Sequence, residues 1–164
     1  MNVFDNIQGK SHVVAESSRL KATIAGHIYD LKMTKDTDNG TIVGIGKFVD
    51  EQVFEAKTYA AGDTPYLILT PPLAYNGKKA WSDEKYFYNA KDEIARAYEL
   101  HKGDIFTVSA DAFTGSPEVG KYIDATYTVK ASAPATGFVG EIIEEVTYTN
   151  STSYRILVRE INKA

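Results

Sequence analysis

Short hydrophobic bursts, each bounded by Gly, Pro, Asn or Asp, recur along most of this 164-residue chain. Bursts at a spacing of roughly 8–12 residues point to a barrel or sandwich of short strands rather than to alternating strands and helices. Ala22, Ile24 and Gly26, then Ile28, Tyr29 and Leu31, predict one or two strands broken at Gly26. Asp36-Thr37-Asp38-Asn39-Gly40 predicts a hairpin turn, because Asn and Gly tolerate positive φ. Residues 41–49 predict a strand in which Gly44 and Gly46 mark a bulge or a close backbone approach. Residues 52–59 predict the next strand. Tyr66-Leu67-Ile68-Leu69-Thr70 is a continuous apolar run of the kind buried on both faces. Pro71 and Pro72 end it, since neither can donate to a ladder.

Residues 75–88, rich in Lys, Asn, Gly and aromatics, read as a long loop. A helix is predicted once, over residues 91–98, where Asn89 could cap it and Ile94, Ala97 and Tyr98 fall at i, i+3 and i+4. After a turn at His101-Lys102-Gly103-Asp104 the pattern is β again. Phe106, Val108 and Ala110 share one face, Thr114-Gly115-Ser116-Pro117 turns the chain, and residues 119–129 supply one or two strands. Residues 140–149 and 153–161 form a hairpin joined by Asn150-Ser151-Thr152. The expected fold class is therefore mainly β: a single antiparallel barrel or sandwich with at most one short helix. Ile105, Phe106, Val108, Ile142, Val146, Ile156 and Val158 are its expected core.

The opening residues, 1–18, follow neither period, and they predict a flexible or partner-ordered N-terminal arm ahead of one β-rich domain over residues 19–164. Val3, Phe4, Ile7, Val13 and Val14 place apolar side chains on that arm with no local reason to hold them, which makes them candidate interface residues.

Composition narrows the class. Hydrophobic residues make up 43% and charged residues 24%, values of a globular chain. A net charge of −4 offers no basic face for nucleic acid, and no apolar run approaches the roughly 18 residues that a membrane helix needs. The first residues lack the charged head and apolar core of a signal peptide, so synthesis in the cytoplasm is expected. With no Cys there is no disulfide framework and no thiolate metal site.

Catalytic motifs do not assemble. His12, His27 and His101 show no His-Glu-x-x-His spacing and read as surface or turn residues, so no metal or cofactor is expected. Residues 36–40 miss the register of a calcium loop, though their carboxylates could hold the ion adventitiously. Gly44-Ile45-Gly46 lacks the third glycine of a dinucleotide fingerprint, and Gly115-Ser116-Pro117 does not complete a nucleophile elbow. Glu141 with Glu144 and Glu145, or Asp83 with Glu84, could serve as the paired carboxylates of a small hydrolase. Such pairs are common on any acidic surface, and a non-enzymatic protein is the expectation. The aromatics carry more information. Tyr75, Trp81, Tyr86, Phe87 and Tyr88 crowd one loop, and exposed Tyr and Trp anchor interfaces or stack on sugars.

Asp38-Asn39-Gly40-Thr41-Ile42-Val43, Pro65-Tyr66-Leu67-Ile68-Leu69-Thr70-Pro71, residues 98–111, Val119-Gly120-Lys121-Tyr122-Ile123 and Gly137-Phe138-Val139-Gly140-Glu141-Ile142-Ile143-Glu144 occur in that order. The series resembles small virion proteins encoded near the major capsid gene in tailed phages of Gram-positive bacteria. The resemblance implies a non-enzymatic capsid decoration or cement protein, or the base of a head fibre. It implies the major capsid protein as partner, a homo-oligomeric or capsomer-bound state, no nucleic-acid or membrane partner, and a place in the virion after assembly in the host cytoplasm. A carbohydrate-binding module of a fibre or receptor-binding device, using the aromatic loop around Trp81, is the alternative.

Overall fold

The computed structural model describes residues 11–71, 84–148 and 150–163. The chain is mainly β, as its hydrophobic pattern predicts. In order it forms β1 (Ala15–Arg19), α1 (Lys21–Ala25), β2 (Ile28–Lys32), β3 (Ile42–Asp50), β4 (Val53–Thr58), β5 (Tyr66–Ile68) and β6 (Ile94–Glu99). There follow β7 (Ile105–Ser109), β8 (Tyr122–Ile123), β9 (Val129–Lys130), β10 (Gly137–Tyr148) and β11 (Ser151–Lys163). The strands separate into two assemblies. One is a closed barrel in the order β2-β4-β3-β5-β6; the other is a six-stranded sheet in the order β1-β7-β11-β10-β8-β9. Every pairing is antiparallel except β2 with β4, which run parallel.

That parallel pair corrects the expected hairpin at residues 36–40. The chain does turn there, with Gly40 at φ +89°, but β2 and β3 are not neighbours. The segment instead carries the chain across the barrel end. Its backbone pairs with Asn89 and Ile68, Thr37 with Asn89 in both directions and the Gly40 amide with the Ile68 carbonyl, and side-chain amides complete the network. Asn39 donates to the Thr70 carbonyl at 2.9 Å and accepts from the Thr70 amide at 3.0 Å, while the buried Asn89 donates to Asn39 Oδ1 at 3.0 Å. Asn39 therefore acts as a backbone substitute where no strand is available to pair.

β3 and β5 form a wall with two dry faces. In register, Ile42 faces Leu67 and Val43 faces Tyr66. Ile42 and Leu67 belong to the core beneath the six-stranded sheet, whereas Val43, Tyr66 and Ile68 fill the barrel with Leu31, Met33, Ala56, Ala95 and Ala97. Alternate side chains of one strand point to opposite faces, so a strand between two cores must be apolar throughout. Of the expected core residues, Phe106, Val108, Ile142, Ile156 and Val158 are buried; Ile105 and Val146 are only half-buried.

Four further expectations are corrected. The predicted helix over residues 91–98 is a turn, with Asp92 at φ +68°, followed by β6. Ile94 and Arg96 are exposed while Ala95 and Ala97 are buried, a period of two disguised by its small inward residues. The helix lies instead at Lys21–Ala25, where a strand was expected, and closes on Gly26 in the left-handed conformation at φ +74°. The boundary placed after Ser18 falls inside β1, which pairs antiparallel with β7. Val14 is buried, its amide donating to Ser109 Oγ at 3.0 Å, so residues 11–18 are part of the folded sheet. Finally, Tyr148 pairs with Ser151, so the last hairpin turns earlier than Asn150-Ser151-Thr152.

Candidate functional site

The candidate interface residues divide by place. Val3, Phe4, Ile7, Tyr75 and Trp81 lie outside the described residues. Of the others, Val14 and Tyr86 are buried, and Val13, Phe87 and Tyr88 are half-buried. The fold brings the end of the N-terminal segment onto the aromatic segment, which the sequence kept 70-odd residues apart. The His12 ring stacks on Tyr88 with centroids 4.7 Å apart, and the His12 amide donates to the Lys85 carbonyl at 2.7 Å. On its other side His12 Nδ1 lies 2.6 Å from Asp38 Oδ1, and Asp38 Oδ2 accepts from the Val13 amide at 3.2 Å. Beyond Tyr88 runs a groove of about 440 Å³, lined by Pro71, Phe87, Tyr88 and Ile94 with Asp92 and Glu93. A larger cleft of about 580 Å³ lies on the Asp38 side, between the start of β3 and the Ala125–Tyr127 stretch.

Several other candidates are committed to the fold. Glu141 pairs with Arg159 and Glu144 with Arg155 across β10 and β11, so each carboxylate is already matched by a guanidinium. Asp83 lies outside the described residues. Asp38 is held by His12 and Val13, Asp36 accepts from the Lys91 amide at 2.9 Å, and Asn39 is buried in its amide network. The buried Asn39 side chain is also closed to glycan attachment in the folded chain, although it heads a sequon. Tyr127 is buried beneath the cleft, where its hydroxyl donates to the Gly40 carbonyl and burial pushes its phenol pKa upward.

Two of the three histidines meet in space, which the sequence reading did not foresee. His27 precedes β2, and Glu99 ends β6 on the neighbouring strand, where its amide donates to the His27 carbonyl at 3.1 Å. Leu100 is buried in the core, so Glu99 and His101 project to the opposite side. Glu99 consequently sits between two imidazoles: its Oε2 is 3.0 Å from His27 Nδ1 and its Oε1 is 3.2 Å from His101 Nε2. The buried Asp104 carboxylate fixes this arrangement from below. It accepts from the His101 amide at 2.8 Å and from the Lys21 amide, at the start of α1, at 3.0 Å. The legible signal was Glu99-x-His101 at the end of a strand; its partner lies 72 residues earlier than Glu99. Next to the cluster, burial pushes the Tyr66 phenol up to about 12, assisted by the negative charge of Glu99.

No family model, curated protein or solved structure matches the chain.

Proposed function

We propose that this chain is a non-enzymatic structural protein of a virion that attaches to the outer face of a capsid, as a decoration or cement protein or as the base of a head fibre. The observation that supports this reading is the edge strand β1. It ends the six-stranded sheet, its outer edge has no strand partner among the described residues, and Glu16, Ser17, Ser18 and Arg19 are exposed along it. An unpaired strand edge accepts a strand from another chain, and here polar side chains keep it from pairing indiscriminately. Val3, Phe4 and Ile7 precede it in the sequence, and His12, just ahead of β1, stacks on Tyr88. Apolar side chains in the sequence ahead of an open edge suit attachment to a large partner, here the major capsid protein. Each one fully buried there would contribute about 1.5–3 kcal/mol against the cost of ordering the segment.

Co-sedimentation with shells assembled from the proposed partner, a phage major capsid protein, tests this reading. The full chain is expected to pellet with the shells, and a chain starting at Ser11 to fold normally but bind weakly. Failure of the full chain to pellet would overturn the proposal. The groove beside Tyr88 favours a second reading, carbohydrate binding, because aromatic faces combined with Asp92 and Glu93 are the groups that stack on and hydrogen-bond to sugars. A glycan array separates the two: saturable binding lost in Tyr88→Ala would favour the sugar.

A further inference from the structure

We propose that His27, Glu99 and His101 form a binding site for a divalent transition-metal ion of the zinc type. The three donors, two imidazole nitrogens and one carboxylate, are all within 4.8 Å of one another. Four ligands around Zn²⁺ at about 2.0–2.1 Å stand roughly 3.3 Å apart. The two Glu99 oxygens lie 3.0 Å from His27 Nδ1 and 3.2 Å from His101 Nε2, and the donors of all three residues lie within 4.8 Å, so modest side-chain movement gathers them around one ion. The remaining adjustment falls on His27, the exposed member of the three. Imidazole with carboxylate selects Zn²⁺ and its neighbours over Ca²⁺ or Mg²⁺, which prefer all-oxygen cages. Exposure on the His27 side leaves a fourth position for water.

The frame is rigid where the site needs it. Backbone pairing of β2 with β6 sets His27 against Glu99, and the buried Asp104 pins the His101 backbone and the start of α1 together. An ion here would tie the barrel strands to residues 100–104, the connection that leads into β7 of the second sheet. It would also neutralise the carboxylate that the two imidazoles now share. One feature sets the strength. His101 Nδ1 is buried without a hydrogen-bond partner, so when Nε2 is metallated the displaced proton on Nδ1 finds no acceptor. A metal-bound histidine lacking that outer partner typically gives up about 10–100-fold in affinity. We therefore expect micromolar rather than nanomolar binding.

The test is calorimetric titration of the untagged full-length chain with Zn²⁺, paralleled by Co²⁺ absorption in the visible region, which reports coordination geometry. One equivalent is expected, with Zn²⁺ raising the melting temperature and EDTA reversing the rise. His27→Ala and Glu99→Gln should each weaken binding by about tenfold or more. His12→Ala, which breaks the other histidine–carboxylate contact, should leave it unchanged. Since His27 is exposed, its variant is expected to fold, and circular dichroism checks this. Absence of saturable binding by the full chain would overturn the proposal, as would unaltered affinity in His27→Ala, which would place the ion elsewhere.

Discussion

The barrel and the six-stranded sheet solve the same problem in opposite ways. The barrel closes on itself, so its five strands leave no edge, and three of the eight buried residues of its interior are alanines, Ala56, Ala95 and Ala97, beside Leu31, Met33, Val43, Tyr66 and Ile68. The sheet stays open, with β1 and β9 at its margins, and gathers the bulky side chains Phe106, Phe138, Tyr127, Tyr154 and Ile156. A narrow closed barrel has little room, so small residues are what fit; an open sheet must cover one face and needs volume to do so. What covers that face is the barrel itself. Ile42, Leu67, Leu69 and Leu100 come from the barrel's strands and their ends, yet pack in the sheet's core. The barrel has an interior of its own, but the outer face of its β3–β5 wall and the sheet bury each other.

The sharpest way to break this picture is to damage each core separately. Phe106→Ala, in the sheet core, should cost about 3–5 kcal/mol, and Met33→Ala, in the barrel, about 2–5 kcal/mol, measured by urea unfolding. If the shared β3–β5 wall couples the halves, both variants and Leu67→Ala will shift one common transition. Two separate transitions, with Phe106→Ala moving one of them and Met33→Ala the other, would show that the wall does not couple them.

A smaller effect is expected where the chain crosses the barrel end between β2 and β3. Asn39→Ala removes both partners of the Thr70 backbone and one of the two acceptors of the Asn89 amide in a single step. Unsatisfied buried groups of this kind cost about 1–3 kcal/mol, visible as a lower denaturant midpoint. Unchanged stability would mean that water replaces the amide and that the crossing is looser than its hydrogen bonds indicate.

Filling the barrel should cost about as much as loosening its end. Ala97 is fully buried, in register with Tyr29 on β2 and Ile68 on β5, so Ala97→Leu is expected to destabilise by about 1–3 kcal/mol through overpacking. The sheet offers its own counterpart at Gly140, where an added Cβ would come within 2.8 Å of Ile123 Cγ1 and 2.9 Å of Ile156 Cγ2. Gly140→Ala should therefore destabilise as well. A neutral Ala97→Leu together with a costly Gly140→Ala would reverse the contrast, making the barrel the slack region and the sheet the tight one.

How much of this was legible in the sequence depends on how locally each feature is determined. The apolar run at Tyr66-Leu67-Ile68 announced a strand buried on both sides, because that requires only the residues themselves. β6 was misread as a helix because its inward positions are Ala95 and Ala97, and alanine is as much a helix former as a filler of narrow barrels. β1 was misread as an arm because four of its five residues are exposed, and only its pairing with β7 makes it a strand. The candidate site divides the same way. Aromatic clustering at Tyr86-Phe87-Tyr88 was visible, but its contact with His12 was not, and neither was the meeting of His27 with Glu99 and His101. Those contacts depend on strand order in a barrel, which alternation along one chain does not encode.

The gentlest probe of the contrast is alkaline pH, because each region buries a tyrosine in its own way. Tyr66, on the barrel wall, lies in register with Glu99, and burial with that carboxylate's charge raises its phenol from 10.0 to about 12. The folded chain thus holds this proton after the unfolded chain has lost it. The contribution is complete below pH 10 and is lost as pH rises through the window from 10 to about 12, with a slope of at most about 1.4 kcal/mol per pH unit. Tyr127 in the sheet core is raised as well, by burial alone, and adds to the fall. Tyr66→Phe should therefore flatten part of the decline, and Tyr127→Phe another part, when unfolding is followed at pH 9, 10 and 11. Only Tyr66 feels Glu99, so Glu99→Gln should reproduce a fraction of the Tyr66→Phe effect and leave the Tyr127 share untouched. A decline that Glu99→Gln removes entirely would mean that charge, not burial, sets the alkaline limit, and that the barrel wall is wetter than its packing implies.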